Sequence, residues 1–259
     1  RLGSGNGRTA IPGPDTHRRQ WMRGGAGRRE AAAAVSFFAA VLILVGLRIR
    51  YPFLINDEGF ANYNAMRILN GEMPFRDFWS VYPAGQLYAL ALVFKIWGAN
   101  LLASRVYDTV IKFIVVTAMF LIYRRNGSKV GAYAAAGIAA LLIARTTVFS
   151  SPIYPAFGLG LLAVLTCTAY LRTGGLRWIL AAGVCTGAAS LFRWDFALYS
   201  ALAVLGTVLF VAREWEGRQG GNWRSRGKAA FCFAAGAGAA LPVWGWWAGS
   251  GGAANVLQQ

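Results

Sequence analysis

AGQLYALALVFKIW, residues 84–97, either crosses the bilayer or lies along its surface, and the topology of the whole chain turns on which. As an α-helix its 14 residues reach about 21 Å, well short of the ~30 Å hydrocarbon core of a bilayer. Lys95 lies inside it, and the WGAN that follows puts Gly98 and Asn100 where a helix stops. Charge placement gives an independent test. With 84–97 lying in the interface, the N-terminal tail and the loops at 124–129, 172–177 and 213–228 share one side. That side then carries 17 of the 26 Lys and Arg residues. With 84–97 as a span, the last three loops change sides and the asymmetry vanishes. The positive-inside rule therefore favours an interfacial helix.

Working outward, the chain reads as all-α, a polytopic transmembrane helix bundle. Of its 259 residues 56% are hydrophobic and 14% charged, a membrane composition rather than that of a soluble domain. Seven spans are expected, at 31–49, 101–123, 130–149, 153–171, 177–192, 196–212 and 229–248. Residues 1–30 read as a disordered basic tail on the cytoplasmic side, and 50–100 as an outer loop. The net charge of +16 is distributed in short clusters between apolar runs, with no basic face or groove-reading module, so nucleic acid is not an expected partner. The chain starts with Arg and stops at VLQQ just after an apolar run, which reads as an N-terminal fragment.

The single histidine, His17, and the dispersed Cys167, Cys185 and Cys232 form no zinc-ligand spacing and no Ser-His-Asp set. Chemistry must come from carboxylates and cations. The outer loop opens with INDEGFANYN, where Asp57 and Glu58 follow the first span. In 58–69, Ala61, Ala65, Ile68 and Leu69 share one helical face, with Asn62, Asn64 and Arg67 elsewhere on the surface. Asp57 is the expected N-cap of this amphipathic helix and Gly71 its stop. EMPFRDFWSV, 72–81, is an aromatic loop suited to headgroups. A carboxylate at a membrane surface beside a like charge is a candidate general base. The pair is also a possible Mg²⁺ or Mn²⁺ site. Arg193 and Asp195, in SLFRWDFALY, form a second constellation on the same side, with Arg193 a candidate phosphate ligand. Arg145 and Lys95 read as snorkelling, and Asp108 and Lys112, four apart, as an intrahelical pair.

The combined order NDEGFANYNAMRILNGEMPFRDFW, then VYPAG, then FKIWGANLLASRVYD resembles the GT-C superfamily of polytopic glycosyltransferases. The likeness is to the protein O-mannosyltransferase and lipid A aminoarabinose transferase group, glycosyltransferase family 39. It covers roughly residues 35–200 and is strongest over 55–110. The resemblance implies a GT-C-like bundle in the plasma (inner) membrane that transfers a sugar from a polyprenyl-phosphate donor to a hydroxyl acceptor on a glycan, lipid or protein, at the outer face and with inversion. It places Asp57 as general base with Glu58 as its neighbour, and Arg193 on the donor phosphate, although this chain has FRWD where some relatives have Lys followed by Gly. Asn62, Asp77, Tyr82 and Asp195 are further expected substrate contacts. The acceptor-recognition part of such enzymes commonly lies in a C-terminal region beyond this chain. The competing readings are a lipid or polyol transporter or flippase, which would place its polar groups at the midplane of repeated halves, and a non-catalytic scaffold in which Asp57 only caps a helix.

Overall fold

A computed structural model describes residues 14–50, 55–146, 150–211 and 223–252. These residues are mostly helical, with no strand among them and the longest irregular stretch at 70–84. The chain divides into two compact units, Arg1–Ile43 and Leu44–Gln259. The first holds most of helix α1 (Pro14–Gly46). Residues 14–30, expected as part of a disordered tail, therefore belong to a helix; Ala and Arg, which favour helices, dominate 26–34. Residues 1–13 lie outside the described residues.

The second unit contains α2 (Phe60–Leu69), α3 (Gly85–Trp97), α4 (Leu101–Asn126), α5 (Lys129–Arg145), α6 (Ile153–Thr173), α7 (Leu176–Ser190), α8 (Trp194–Gly206), α9 (Trp223–Ala237) and α10 (Leu241–Trp247). Local sequence sets their ends. Gly98, at φ +84°, stops α3, and two residues later Asn100 caps α4 by accepting from the Ala103 N–H at 2.8 Å. Ser128 caps α5 in the same way through the Gly131 N–H, and Gly174, at φ +66°, ends α6 in the left-handed conformation.

By length and composition three helical stretches can cross a membrane: Leu101–Asn126, Ile153–Thr173 and Ser225–Ser250. Glu30–Gly46, Leu176–Ser190 and Trp194–Phe210 are apolar but shorter, and α5 ends at Arg145, so fewer than the seven expected spans are continuous helices of full length. Both ends of α3 meet the same end of the bundle. At its start the Gly85 N–H donates to Leu191 C=O at 2.8 Å and Gln86 Nε2 to Ser150 C=O at 3.0 Å. At its finish it turns directly into the first residues of α4. Helix α3 thus lies across one end of the bundle.

The helices pack closely where side chains are smallest. On α7, a Cβ added at Gly183 would lie 2.1 Å from the Phe233 carbonyl oxygen, and one at Gly187 would lie 2.4 Å from that of Ala237. Reciprocally, a Cβ at Gly236 of α9 would meet the Leu180 oxygen at 2.3 Å. This is the small-residue crossing that lets membrane helices approach backbone to backbone. Ile179, Val204 and Phe233 fill the core beside it, with Cys167 buried among them as a free thiol. At the far end of the bundle Arg172 joins α6 to α4 through the Arg125 carbonyl and the Asn126 side chain.

Candidate functional site

The polypeptide between α1 and α2 shapes the site. A wide π-helical turn over Ile55–Gly59 runs straight into α2, so the residue before α2 is Gly59, already helical and making no side-chain cap. Asp57 is therefore not the cap of α2; it belongs to the turn ahead of it. Successive residues of a helical turn point about 100° apart, and the two carboxylates separate accordingly. Asp57 is exposed and lines a cleft of about 390 Å³ built from the start of α2, the 79–87 segment and residues 150–153. Glu58 turns inward and is fully buried. Its Oε1 and Oε2 accept from Arg105 Nε at 2.7 Å and NH2 at 2.8 Å, while Arg105 NH1 donates to Ile49 C=O at 2.6 Å.

This corrects the expectation for Glu58. It is no neighbouring catalytic group and supplies no like charge at the cleft. It is instead half of a buried ion pair that ties the Ile55–Gly59 turn to α4. The same geometry keeps the pair from acting together as one Mg²⁺ or Mn²⁺ site, because both Glu58 oxygens accept from a guanidinium away from the exposed Asp57 carboxylate. Among the described residues no three His, Cys, Asp or Glu side chains converge.

Two of the other expected residues gather near Asp57. Tyr82 lines the same cleft, and the Arg193 guanidinium lies 4.8 Å from the centre of its ring. Arg193 also forms a two-pronged pair with Asp195, Nε–Oδ1 3.0 Å and NH2–Oδ2 2.7 Å. Asp195 is thereby committed to Arg193. Asp77 stands apart from the cleft and staples its own loop. Its Oδ2 accepts from the Met73 N–H at 2.7 Å, and both oxygens accept from Arg76. The Arg76 guanidinium is the main reason its carboxyl is held down at about 2. Arg67 completes that loop, bonded to Glu72 Oε2 and Asp77 C=O with its guanidinium 4.5 Å from the Phe78 ring centre. Asn62 is half-buried on α2, outside the cleft, with a buried and unpartnered Oδ1. Asn64, expected on the surface, is buried.

The Asp108–Lys112 pair forms as its spacing predicts, at 2.6 Å and out of solvent, with the Lys112 ammonium 4.7 Å over the Tyr154 ring. Sequence reasoning passed over Arg105, Gln86 and Ser150. The signal for Arg105 was a second cation in α4 beside the Asp108–Lys112 pair, which needs an anion of its own when buried. Gln86 bridges the site, donating to Ser150 C=O while its Oε1 accepts from Tyr107 at 3.2 Å. No protein-family model, curated protein or solved structure matches this chain.

Proposed function

We propose that the chain is a GT-C-like membrane glycosyltransferase that moves a sugar from a polyprenyl-phosphate donor to a hydroxyl acceptor at the outer membrane face, with Asp57 as general base. The observation that carries the reading is the split of the acidic pair. One carboxylate is buried on Arg105, and the other is left exposed at a cleft whose Tyr82 is stacked by a cation. The long apolar helices supply the setting, and in this reading the cleft lies at headgroup depth with the N-terminus in the cytoplasm.

The chemistry follows from these groups. The acceptor hydroxyl donates its hydrogen bond to Asp57, which takes the proton as the oxygen attacks the anomeric carbon. The bond from that carbon to the phosphate oxygen breaks, and its electron pair leaves with polyprenyl phosphate. Arg193, whose fork still has N–H groups beyond those given to Asp195, stabilises the charge gathering on that phosphate. A surface hydroxyl and a carrier headgroup meeting at one membrane depth supply proximity.

The test is release of polyprenyl phosphate from a panel of polyprenyl-phosphate sugars by the protein reconstituted in liposomes. Asp57→Asn is expected to lower turnover by about 10²–10⁴-fold. Undiminished turnover by that variant overturns the assignment. Movement of substrate across sealed vesicles with no glycosidic product replaces it with a transporter.

A further inference from the structure

Ser150, in the wall of the Asp57 cleft, combines two features that each cost the fold. Its backbone sits at φ +56°, the left-handed region that a residue with a Cβ enters at a cost. Its Oγ is buried and makes no hydrogen bond, the residue being only 1% exposed. The backbone on either side of that hydroxyl is held. The carbonyl accepts from Gln86, the N–H faces the Asp108 carboxylate, and Ser151 Oγ accepts from the Ile153 N–H at 3.3 Å. The conformation is therefore imposed by its neighbours, and the hydroxyl carries its desolvation cost with nothing in return. A strained backbone that holds an unmade hydrogen bond at a cleft points to a ligand group that completes that bond.

The rest of the lining says what that ligand is. Phe60, Trp79 and Tyr82 are exposed aromatic rings around the cleft. Asp57 supplies an acceptor, and no Lys or Arg is among the described residues lining the space. An anion would face Asp57 with no cation in the wall. A neutral polyhydroxylated ring fits every group: its C–H faces lie on aromatic rings, and its hydroxyls donate to Asp57 and meet Ser150. A volume of about 390 Å³ is at the low end of the roughly 300–1,000 Å³ of ligand pockets, room for one ring.

We propose that this cleft is a sugar-ring subsite in which Ser150 Oγ hydrogen-bonds one ring hydroxyl and so selects among sugars. The proposal deepens the glycosyl-transfer reading above and rests on it. A site that hydrogen-bonds a hydroxyl through a buried polar group discriminates against a ring lacking it, since the buried group is then left unpaired.

The experiment is thermal unfolding of the purified protein in nanodiscs. The probes are polyprenyl-phosphate mannose, glucose and galactose, bare polyprenyl phosphate, and the corresponding methyl glycosides. At least one sugar-bearing carrier is expected to raise the midpoint beyond the bare carrier. Ser150→Ala is expected to keep the bare-carrier shift and weaken the sugar-dependent part about tenfold. The methyl glycosides separate the sources: binding of carrier-linked sugar alone assigns the ring to the donor, and equal binding of free glycosides assigns it to the acceptor. Without ligand, Ser150→Ala and Ser150→Gly are expected to melt no lower than wild type, Ser150→Gly highest because glycine relieves the positive φ. A sugar increment unchanged in Ser150→Ala, or none beyond the bare carrier, overturns the subsite and leaves the donor reading standing. No shift with any probe, the bare carrier included, overturns both. Lower ligand-free midpoints for both variants would show that the hydroxyl serves the fold and would overturn the proposal.

Discussion

Arg105 and Glu58, 47 residues apart, meet as a two-pronged ion pair at 2.7 and 2.8 Å with their side chains 4% and 0% exposed. The third arm of the guanidinium holds the Ile49 carbonyl, so one side chain of α4 fixes both the end of the 3-10 turn Leu47–Arg50 and the turn that carries Asp57. Arg105→Ala leaves a buried carboxylate without a partner and is expected to destabilise the protein by about 3–5 kcal/mol. Arg105→Met combined with Glu58→Leu removes both charges and should recover most of that loss, read as denaturant midpoints in detergent. Lysine cannot reproduce the fork, so Arg105→Lys falls between the two.

The adjacent carboxylates should respond oppositely to the same small change. Asp57→Asn alters an exposed side chain and is expected to leave stability within about 0.5 kcal/mol of wild type. Glu58→Gln leaves the Arg105 charge buried without its anion and should lower the melting temperature clearly. Equal melting temperatures for the two variants would contradict the division of roles.

The α7–α9 crossing makes a steric prediction. Gly183→Ala, Gly187→Ala and Gly236→Ala each drive a Cβ into a backbone oxygen 2.1–2.4 Å away, in helices that cannot move apart without losing their packing. Each is expected to cost about 1–3 kcal/mol or more. Gly206, with nothing within 4 Å of an added Cβ, is the control. There Ala should be neutral or stabilising by up to about 1 kcal/mol, because it relieves glycine's helix penalty. The measurement is the unfolding midpoint of each variant in detergent.

The loop staple gives a pH dependence with a definite sign. Asp77 is held below its ordinary value, at about 2, by Arg76 and the Met73 N–H. A depressed carboxyl contributes stability above its unfolded pKa and loses it as pH falls through the folded one. The melting difference between wild type and Asp77→Asn should therefore be constant from pH 7 to about 5 and shrink from about pH 4 towards pH 2. A difference that persists at pH 2 would show that the staple does not depend on the charge.

Much of this architecture is written locally. The helical character of 58–69 and 84–97, the stop at Gly98 and the Asp108–Lys112 pair all follow from patterns within a few residues, because helix geometry, capping and i,i+4 contacts are short-range. The acidic pair at 57–58 and the Arg193–Asp195 pair were legible for the same reason. Sequence could not say which of Asp57 and Glu58 turns inward, since that depends on Arg105 in another helix. It could not show that Asp77 is used up within its loop, because Arg76 and the Met73 N–H reach its carboxylate only once the loop folds back. Nor could it find Ser150, whose strain and unpartnered hydroxyl exist only after Gln86 and Asp108 have fixed its backbone. Local pattern alone is enough for an apolar helical chain with a carboxylate pair at the start of its first polar loop. Which carboxylate stays exposed follows from the packing of α4, because burying a charge requires a partner, and only folding brings Arg105 near.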